Sequence, residues 1–95
     1  SYTSYLFSKG VDKILKKVGE EATEVIIAAK DNNNTETVAE ICDLLFHVEV
    51  LMTERGITWD DVANEIDARR LKENMNVEKE AKRKAENRTD ECNIN

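Results

Sequence analysis

Residues 11–30, VDKILKKVGEEATEVIIAAK, decide the fold that the sequence predicts. Their apolar side chains recur at the three- and four-residue spacing of an amphipathic helix. One core face consists of the following residues: Ile14, Leu15, Val18, Ala22, Val25, Ile26 and Ala29. Proline is absent from the sequence, and no segment alternates convincingly between apolar and polar residues as a strand does. We therefore expect an all-α protein.

A second segment, residues 35–55, predicts a helix that is apolar over most of its circumference. Its apolar residues are Val38, Ile41, Leu44, Leu45, Phe46, Val48, Val50, Leu51 and Met52. Such a helix must be covered on several sides, and a chain of 95 residues has few elements that can cover it. We therefore expect a small bundle of four to five helices that is completed by dimerisation.

Local signals place the remaining elements. The run DNNN, residues 31–34, predicts the turn between the two long helices, and Gly56 predicts the C-terminal cap of the second. A short helix is expected over residues 2–8, and Thr58 predicts the start of another. We expect a helical domain over residues 1–70 and a charged helix or tail over residues 71–95, with disorder over its end, TDECNIN.

Composition excludes several classes of protein. The net charge is −6 without a basic stripe, which argues against binding of nucleic acid. No apolar run is long enough to span a membrane, and the start, SYTSYLF, does not resemble a secretory signal. Cys42 and Cys92 form neither a disulfide framework nor a metal motif, so we expect a cytoplasmic protein. An acidic protein that acts on an anionic substrate would need a cation between the two.

Two pairs of carboxylates indicate where that cation would bind. Glu21 and Glu24 are three residues apart on the first long helix, beside Glu20, and Glu40 and Asp43 repeat the spacing on the second. Antiparallel packing would bring the pairs together, and their mutual repulsion would require a metal. Carboxylate oxygens suit Mg²⁺, with Mn²⁺ as the alternative. Most glutamate clusters are simply solvated, but carboxylates within an apolar helix are rarer.

The sequence resembles the phosphoribosyl-ATP pyrophosphohydrolases, which belong to the all-α, MazG-like superfamily of nucleotide pyrophosphohydrolases. Three segments carry the resemblance: KGVDKILKKVGEEATEVIIAAK, EICDLLFHVEVLM and GITWDDVANEIDAR, residues 9–30, 40–52 and 56–69. It extends over about residues 1–70. The resemblance implies the second step of histidine biosynthesis, in which phosphoribosyl-ATP is hydrolysed to phosphoribosyl-AMP and pyrophosphate.

The metal motif of the superfamily, EExxE…ExxD, falls on the same carboxylates. The resemblance implies that Glu21, Glu24, Glu40 and Asp43 are the ligands of Mg²⁺. Glu20 or Glu24 is the expected general base.

The resemblance also indicates residues that bind the substrate. We expect Lys17 to contact phosphate groups, and Lys13 is a weaker candidate because a solvated lysine would explain it equally well. Ser1, Tyr2 and Thr3 match the start of the family and are expected near the phosphoribosyl end. His47, on a largely apolar helix, is expected to be a hydrogen-bonded core residue.

The family implies partners as well as a reaction. It works as a homodimer or as a dimer of dimers. In many bacteria the domain is fused to phosphoribosyl-AMP cyclohydrolase, and a start without methionine fits either an excised domain or a processed chain. Two alternatives stay open: a house-cleaning nucleoside triphosphate pyrophosphohydrolase with the same metal site, and a helical dimerisation module without catalytic activity.

Overall fold

A computed structural model of the chain describes the backbone of residues 1–93 and the side chains of residues 1–88. Four helices follow one another: α1 (Tyr2–Lys9), α2 (Val11–Lys30), α3 (Asn34–Arg55) and α4 (Trp59–Asn93). Residues 1–93 contain no strand, so the all-α prediction is confirmed. The bounds predicted for α2 are the observed ones, and α3 begins one residue earlier than predicted.

The DNNN run works as a turn because two of its asparagines have separate roles. Asn32 adopts the left-handed conformation, with φ of 57°, at the end of α2. Its N–H donates to the carbonyl of Ala29, and the N–H of Asn33 donates to that of Ala28, which closes a Schellman motif. The side chain of Asn33 then accepts a hydrogen bond from the N–H of Glu36 and caps α3. One short turn thus ends α2 and starts α3.

Gly56 ends α3 as predicted. Its φ of 70° lies in the left-handed region, where glycine carries no Cβ penalty. The N–H of Gly56 donates to the carbonyl of Thr53, and the N–H of Ile57 donates to that of Met52. These two bonds satisfy carbonyl groups that the helix leaves without partners at its C-terminal end.

The chain divides into two units, the first of which extends from Ser1 to Thr58. In this unit α2 packs along α3, and α1 packs against both. Leu6, Ile14 and Val50, one from each helix, are buried together, and Leu51 packs against them. This small core fixes the position of α1 against the pair formed by α2 and α3.

The buried face of α2 differs from the predicted one. Ile14 is buried as expected, but the other two buried residues are Glu21 and Ala28, whereas Leu15 and Ile26 are exposed. The apolar stripe is wider than the surface that α3 covers. Relative to the predicted orientation, α2 is therefore rotated about its axis, so that one edge of the apolar stripe and Glu21 face α3.

A broad apolar surface on α2 and α3 is left open within the first unit. Ile26 is 63% exposed and Val38 is 61% exposed, and Leu15, Ile41 and Leu45 are exposed as well. At about 100° per residue, these residues fall on the side of the antiparallel pair opposite Glu24 and Asp43. The predicted covering of α3 on several sides is thus not achieved by the first unit alone.

The second unit begins at Trp59, directly after Thr58, where the sequence predicted a helix to start. Helix α4 continues without interruption past residue 70, where the boundary between domain and tail was predicted. The disorder expected for residues 89–95 stays a prediction, since their side chains and the backbone of residues 94 and 95 lie outside the described part. None of the helices in that part has an apolar stretch of the length needed to cross a membrane.

Candidate active site

Three carboxylates from α2 and α3 meet at one point between the helices. Because a short turn joins α2 to α3, the helices run antiparallel, and residues at equal distances from the turn face each other. Glu21 and Glu24 on α2 thereby come close to Glu40 on α3. One carboxylate oxygen of each residue lies within 4.8 Å of those of the other two. Of the four predicted metal ligands, these three form a group among the described residues, and Asp43 is not part of it.

The group combines burial with missing hydrogen-bond partners. Glu21 is only 6% exposed. Its Oε2 atom and the Oε2 atom of Glu40 are buried, and neither has a hydrogen-bond partner among the described residues. Carboxylate oxygens that are buried without partners are costly in free energy. They indicate that the site is built to receive a donor or a cation.

The electrostatics of Glu40 support the same conclusion. The nearby carboxylates of Glu24 and Glu36, which can share a proton with Glu40, raise the pKa of Glu40 to about 7, and burial and the negative charge of both neighbours act in the same direction. A carboxyl group so close to other carboxylates holds its proton, because this proton is what the neighbours can share. A cation that replaces the proton would relieve the same repulsion.

The donor set fits a hard divalent cation. Mg²⁺ takes oxygen ligands at about 2.1 Å in an octahedron, so neighbouring ligands are about 3.0 Å apart and opposite ones about 4.2 Å. The oxygens of Glu21, Glu24 and Glu40 lie within 4.8 Å of one another, so they would have to move closer together to bind one such ion. Three carboxylates would also leave coordination positions for phosphate oxygens and water. The residues present therefore fit the Mg²⁺ that the sequence predicts.

Lys17 lies at the edge of this group. Its Nζ atom is 3.4 Å from Oε1 of Glu21 and 3.3 Å from Oε2 of Glu20. Desolvation lowers the pKa of Lys17, but hydrogen bonds to Glu20 and Glu21 and the negative charge of Glu21 outweigh it, so the pKa is raised. Lys17 is thus a permanent cation that neutralises one side of the buried Glu21 carboxylate.

A hydrogen-bonded chain joins α1 to α3 beside the carboxylates. The hydroxyl of Tyr2 and Nε2 of His47 are 2.8 Å apart, and Nδ1 of His47 is 2.7 Å from the carbonyl oxygen of Asp43. Because that carbonyl can only accept, Nδ1 of His47 donates, and in the neutral ring Nε2 accepts from Tyr2. His47 is 5% exposed, so the prediction of a hydrogen-bonded core histidine is confirmed.

The other predicted site residues lie around this centre. Glu20 is exposed and forms ion pairs with Lys16 and Lys17. Lys13 is half-buried on the same helix. The hydroxyl of Ser1 caps α1 by accepting from the N–H of Ser4. The positions of Glu20, Lys13 and Ser1 do not test the catalytic and binding roles predicted for them, which stay predictions.

A cavity next to the carboxylates was not predicted from the sequence. It has a volume of about 170 Å³. Its lining consists of Glu24, Ile27, Ala28, Asp31, Asn33, Glu36 and Glu40. Glu36 lies one turn before Glu40 on α3, and this four-residue spacing is the signal that could have assigned it to the site. Asp31 and Asn33 also line the cavity. The sequence contains no sign of this, because their presence in the turn is already explained by the end of α2 and the cap of α3.

Comparisons with known proteins agree with this geometry. The model of the phosphoribosyl-ATP pyrophosphohydrolase family matches residues 1–70. A phosphoribosyl-ATP pyrophosphatase of Clostridium novyi is 53% identical over 87 residues, which are 92% of this chain and 77% of the relative. One of Lacticaseibacillus casei is 56% identical over 84 residues, 83% of this chain and 76% of the relative.

A third relative has a different organisation. The histidine biosynthesis bifunctional protein HisIE of Caldanaerobacter subterraneus subsp. tengcongensis is 58% identical over 69 residues. These residues are 73% of this chain but only 34% of that protein. The resemblance seen in the sequence is confirmed, and with it the prediction of a hydrolase: the chain belongs to the phosphoribosyl-ATP pyrophosphohydrolase family.

Proposed function

We propose that the chain hydrolyses phosphoribosyl-ATP to phosphoribosyl-AMP and pyrophosphate in a reaction that depends on Mg²⁺. The observation that carries the proposal is the group formed by Glu21, Glu24 and Glu40, in which two buried oxygens have no partner among the described residues. The names of the relatives support the substrate. The geometry supports a cation, because the group would otherwise be unfavourable.

In this proposal Glu21, Glu24 and Glu40 hold Mg²⁺, and Asp43 completes the set. Bound Mg²⁺ would neutralise charge on the triphosphate and lower the pKa of a water. Glu20 or Glu24 accepts the proton of the attacking water. The water oxygen forms a bond to phosphorus, the bond from that phosphorus to the bridging oxygen breaks, and pyrophosphate leaves with the electron pair.

Lys17 has a double role in the proposal. It pairs with Glu21 across 3.4 Å in the absence of substrate. Because its flexible side chain is about a quarter exposed, it can also turn its ammonium group towards a phosphate at the same edge. Lys13, one turn earlier on α2, would act at longer range on the leaving pyrophosphate.

The open apolar surface of α2 and α3 supports a homodimer, or a dimer of dimers, as the working form. Monomeric proteins rarely expose so many large apolar side chains on one side of a helix pair. Here Leu15, Ile26, Val38, Ile41 and Leu45 do so. A second copy of the chain would bury them and leave the carboxylates on the opposite side accessible to substrate.

The proposed setting follows from the relatives and the composition. The bifunctional relative supports the expectation that this domain also occurs fused to phosphoribosyl-AMP cyclohydrolase, which would act on the product. We propose the cytoplasm as the compartment, because Cys42 is a free thiol and reduced cysteines are usual there.

The proposal is tested by measuring pyrophosphate release by the purified chain from phosphoribosyl-ATP, from ATP and from a panel of noncanonical nucleoside triphosphates. Each substrate is assayed with Mg²⁺ and with EDTA. Fast release from phosphoribosyl-ATP that EDTA abolishes is expected. Preference for noncanonical triphosphates would instead support the house-cleaning alternative, and no release from any nucleotide by the folded chain would support a dimerisation module.

A pair of variants separates the metal site from the rest of the acidic surface. Asp43→Asn is expected to abolish turnover while the chain stays folded. Glu54→Gln is the matched control, because Glu54 is an exposed carboxylate near the far end of α3 and takes no part in the site. Equal activity of the two variants would contradict a catalytic role for Asp43.

A further inference from the structure

A second cavity lies between α1 and α3, away from the carboxylate group. Its volume is about 310 Å³, at the lower end of the range for sites that bind small molecules. Its lining consists of Thr3, Phe7, Phe46, Glu49, Val50 and Thr53. Two aromatic rings, an apolar floor and a single carboxylate make up most of this surface. Such a combination suits a flat ring that carries a positive charge.

The cavity and the carboxylate group are connected along one helix. Glu40, Asp43, Phe46 and Glu49 are spaced three residues apart and form one inclined row on the surface of α3. Phe46 lies six residues from Glu40, which is about 9 Å along the axis at 1.5 Å per residue and about a third of a turn around the helix at 100° per residue. A ribose and its phosphate groups can span such a distance. A nucleotide whose phosphates lie at Glu40 can therefore place its base at Phe46.

The aromatic wall of the cavity is held in place by neighbouring side chains. The ring of Phe46 stacks against that of Tyr2, with centroids 6.1 Å apart, and Tyr2 is fixed by its hydrogen bond to His47. Phe46 also meets the ring of His47 edge-on at 5.1 Å. A wall that is already ordered loses little conformational entropy when a ligand stacks on it. Phe46 nevertheless remains 39% exposed, which leaves part of its ring for a ligand.

The substrate of the proposed function has the chemistry that this cavity favours. Substitution at N1 of adenine makes the ring a much stronger base, so that it carries a positive charge at neutral pH, whereas the adenine of ATP is neutral. The charged ring would be attracted to the faces of Phe7 and Phe46. Its exocyclic nitrogen would donate to the carboxylate of Glu49.

We propose that the cavity between α1 and α3 binds the adenine ring of an N1-substituted adenosine nucleotide, with Glu49 pairing with its positive charge. The inference rests on the proposed function and deepens it. It makes Phe46 the stacking residue and Glu49 the residue that distinguishes phosphoribosyl-ATP from ATP. The carboxylate group provides the chemistry, and the cavity provides the choice of substrate.

Binding of two monophosphates tests the inference without any turnover. The affinities of 1-methyladenosine 5′-monophosphate, which has the charged ring, and of AMP are measured by titration calorimetry on the full chain. Chemical shifts of the amides of Thr3 and Phe7 report where each nucleotide binds. The chain is expected to prefer the methylated nucleotide by roughly fivefold, the size of an exposed cation–π contact combined with an exposed ion pair.

Three variants assign the preference to its residues. Glu49→Gln should lower the preference to about twofold, the part that the cation–π contact supplies, whereas the matched control Glu54→Gln should leave it unchanged. Phe46→Leu should weaken the binding of both nucleotides by roughly fivefold or more, because stacking is lost for either base. Circular dichroism checks that each variant is folded. We expect this because the side chains of Phe46 and Glu49 are exposed.

The results separate this inference from the proposed function. Equal affinities, a preference that Glu49→Gln leaves at its full size, a lack of binding, or chemical-shift changes away from Thr3 and Phe7 would each overturn the assignment of the cavity. Hydrolysis of phosphoribosyl-ATP would still stand if pyrophosphate release were observed in any of these cases. Preferential binding at the cavity by a chain that releases no pyrophosphate would instead overturn the proposed function.

Discussion

Replacing Lys17 with Met tests how the buried carboxylate of Glu21 is kept stable. Lys17 lies 3.4 Å from Glu21, and the side chains are 24% and 8% exposed. Met is nearly equal to Lys in helix propensity, so the loss of the charge is the main change. A buried group that loses its partner costs about 2 kcal/mol. We expect the free energy of unfolding without metal to fall by about this amount, which lowers Tm by roughly 10 °C in a chain of this size.

The assay is urea unfolding followed by circular dichroism at a fixed protein concentration, with EDTA or with saturating Mg²⁺. Mg²⁺ should reduce the cost of Lys17→Met to below about 1 kcal/mol, because the metal neutralises Glu21 in place of the lysine. Lys16→Met is the matched control. Lys16 is 66% exposed and 3.8 Å from Glu20, so its loss should cost less than about 0.5 kcal/mol. The reasoning would be refuted if the two variants lost equal free energy of unfolding, or if the loss for Lys17→Met were the same with Mg²⁺ as with EDTA.

Further predictions concern pH, backbone and assembly. The pKa of Glu40 is raised to about 7, so between pH of about 4.5 and 7 the folded chain binds a proton that the unfolded chain has lost. Without metal, the free energy of unfolding should therefore fall as the pH rises through this range. Glu40→Gln should remove this pH dependence, as measured by urea unfolding. Gly56→Ala should cost about 1 kcal/mol in thermal unfolding because φ is +70°. Gly19→Ala, which meets open space in a helix, should stabilise by up to about 1 kcal/mol. Leu45→Glu should convert a dimer into a monomer in sedimentation equilibrium, and an unchanged dimer would show that this surface is not the interface.

The ends of the helices could be predicted because they depend on local chemistry. Asn33 caps α3, and Gly56 supplies the left-handed residue that ends it. Each role needs only a few neighbouring residues, which the sequence displays directly. The buried face of α2 depended instead on how much of its apolar stripe one partner helix can cover. The burial of Glu21 in place of Leu15 could not be read from hydrophobic spacing alone.

The carboxylate group could be predicted because it depends only on how the residues of α2 align with those of α3 across the turn. Glu21 and Glu40 meet because the turn between their helices is short, and the sequence showed both the turn and the carboxylates. The cavity beside Phe46 and Glu49 depends on where α1 packs. That position is set by the burial of Leu6 against two other helices, and no spacing within α1 reveals it.

The most direct test of the proposed function is the rate of pyrophosphate release from phosphoribosyl-ATP as the Mg²⁺ concentration is varied, for the wild-type chain, Glu40→Gln and Glu54→Gln. If Glu40 is a ligand, Glu40→Gln should need at least about tenfold more Mg²⁺ than the wild type or lose activity altogether. Glu54→Gln should follow the wild-type curve. A curve for Glu40→Gln that coincides with that of the wild type, or release that continues unchanged in EDTA, would contradict a catalytic metal at these carboxylates.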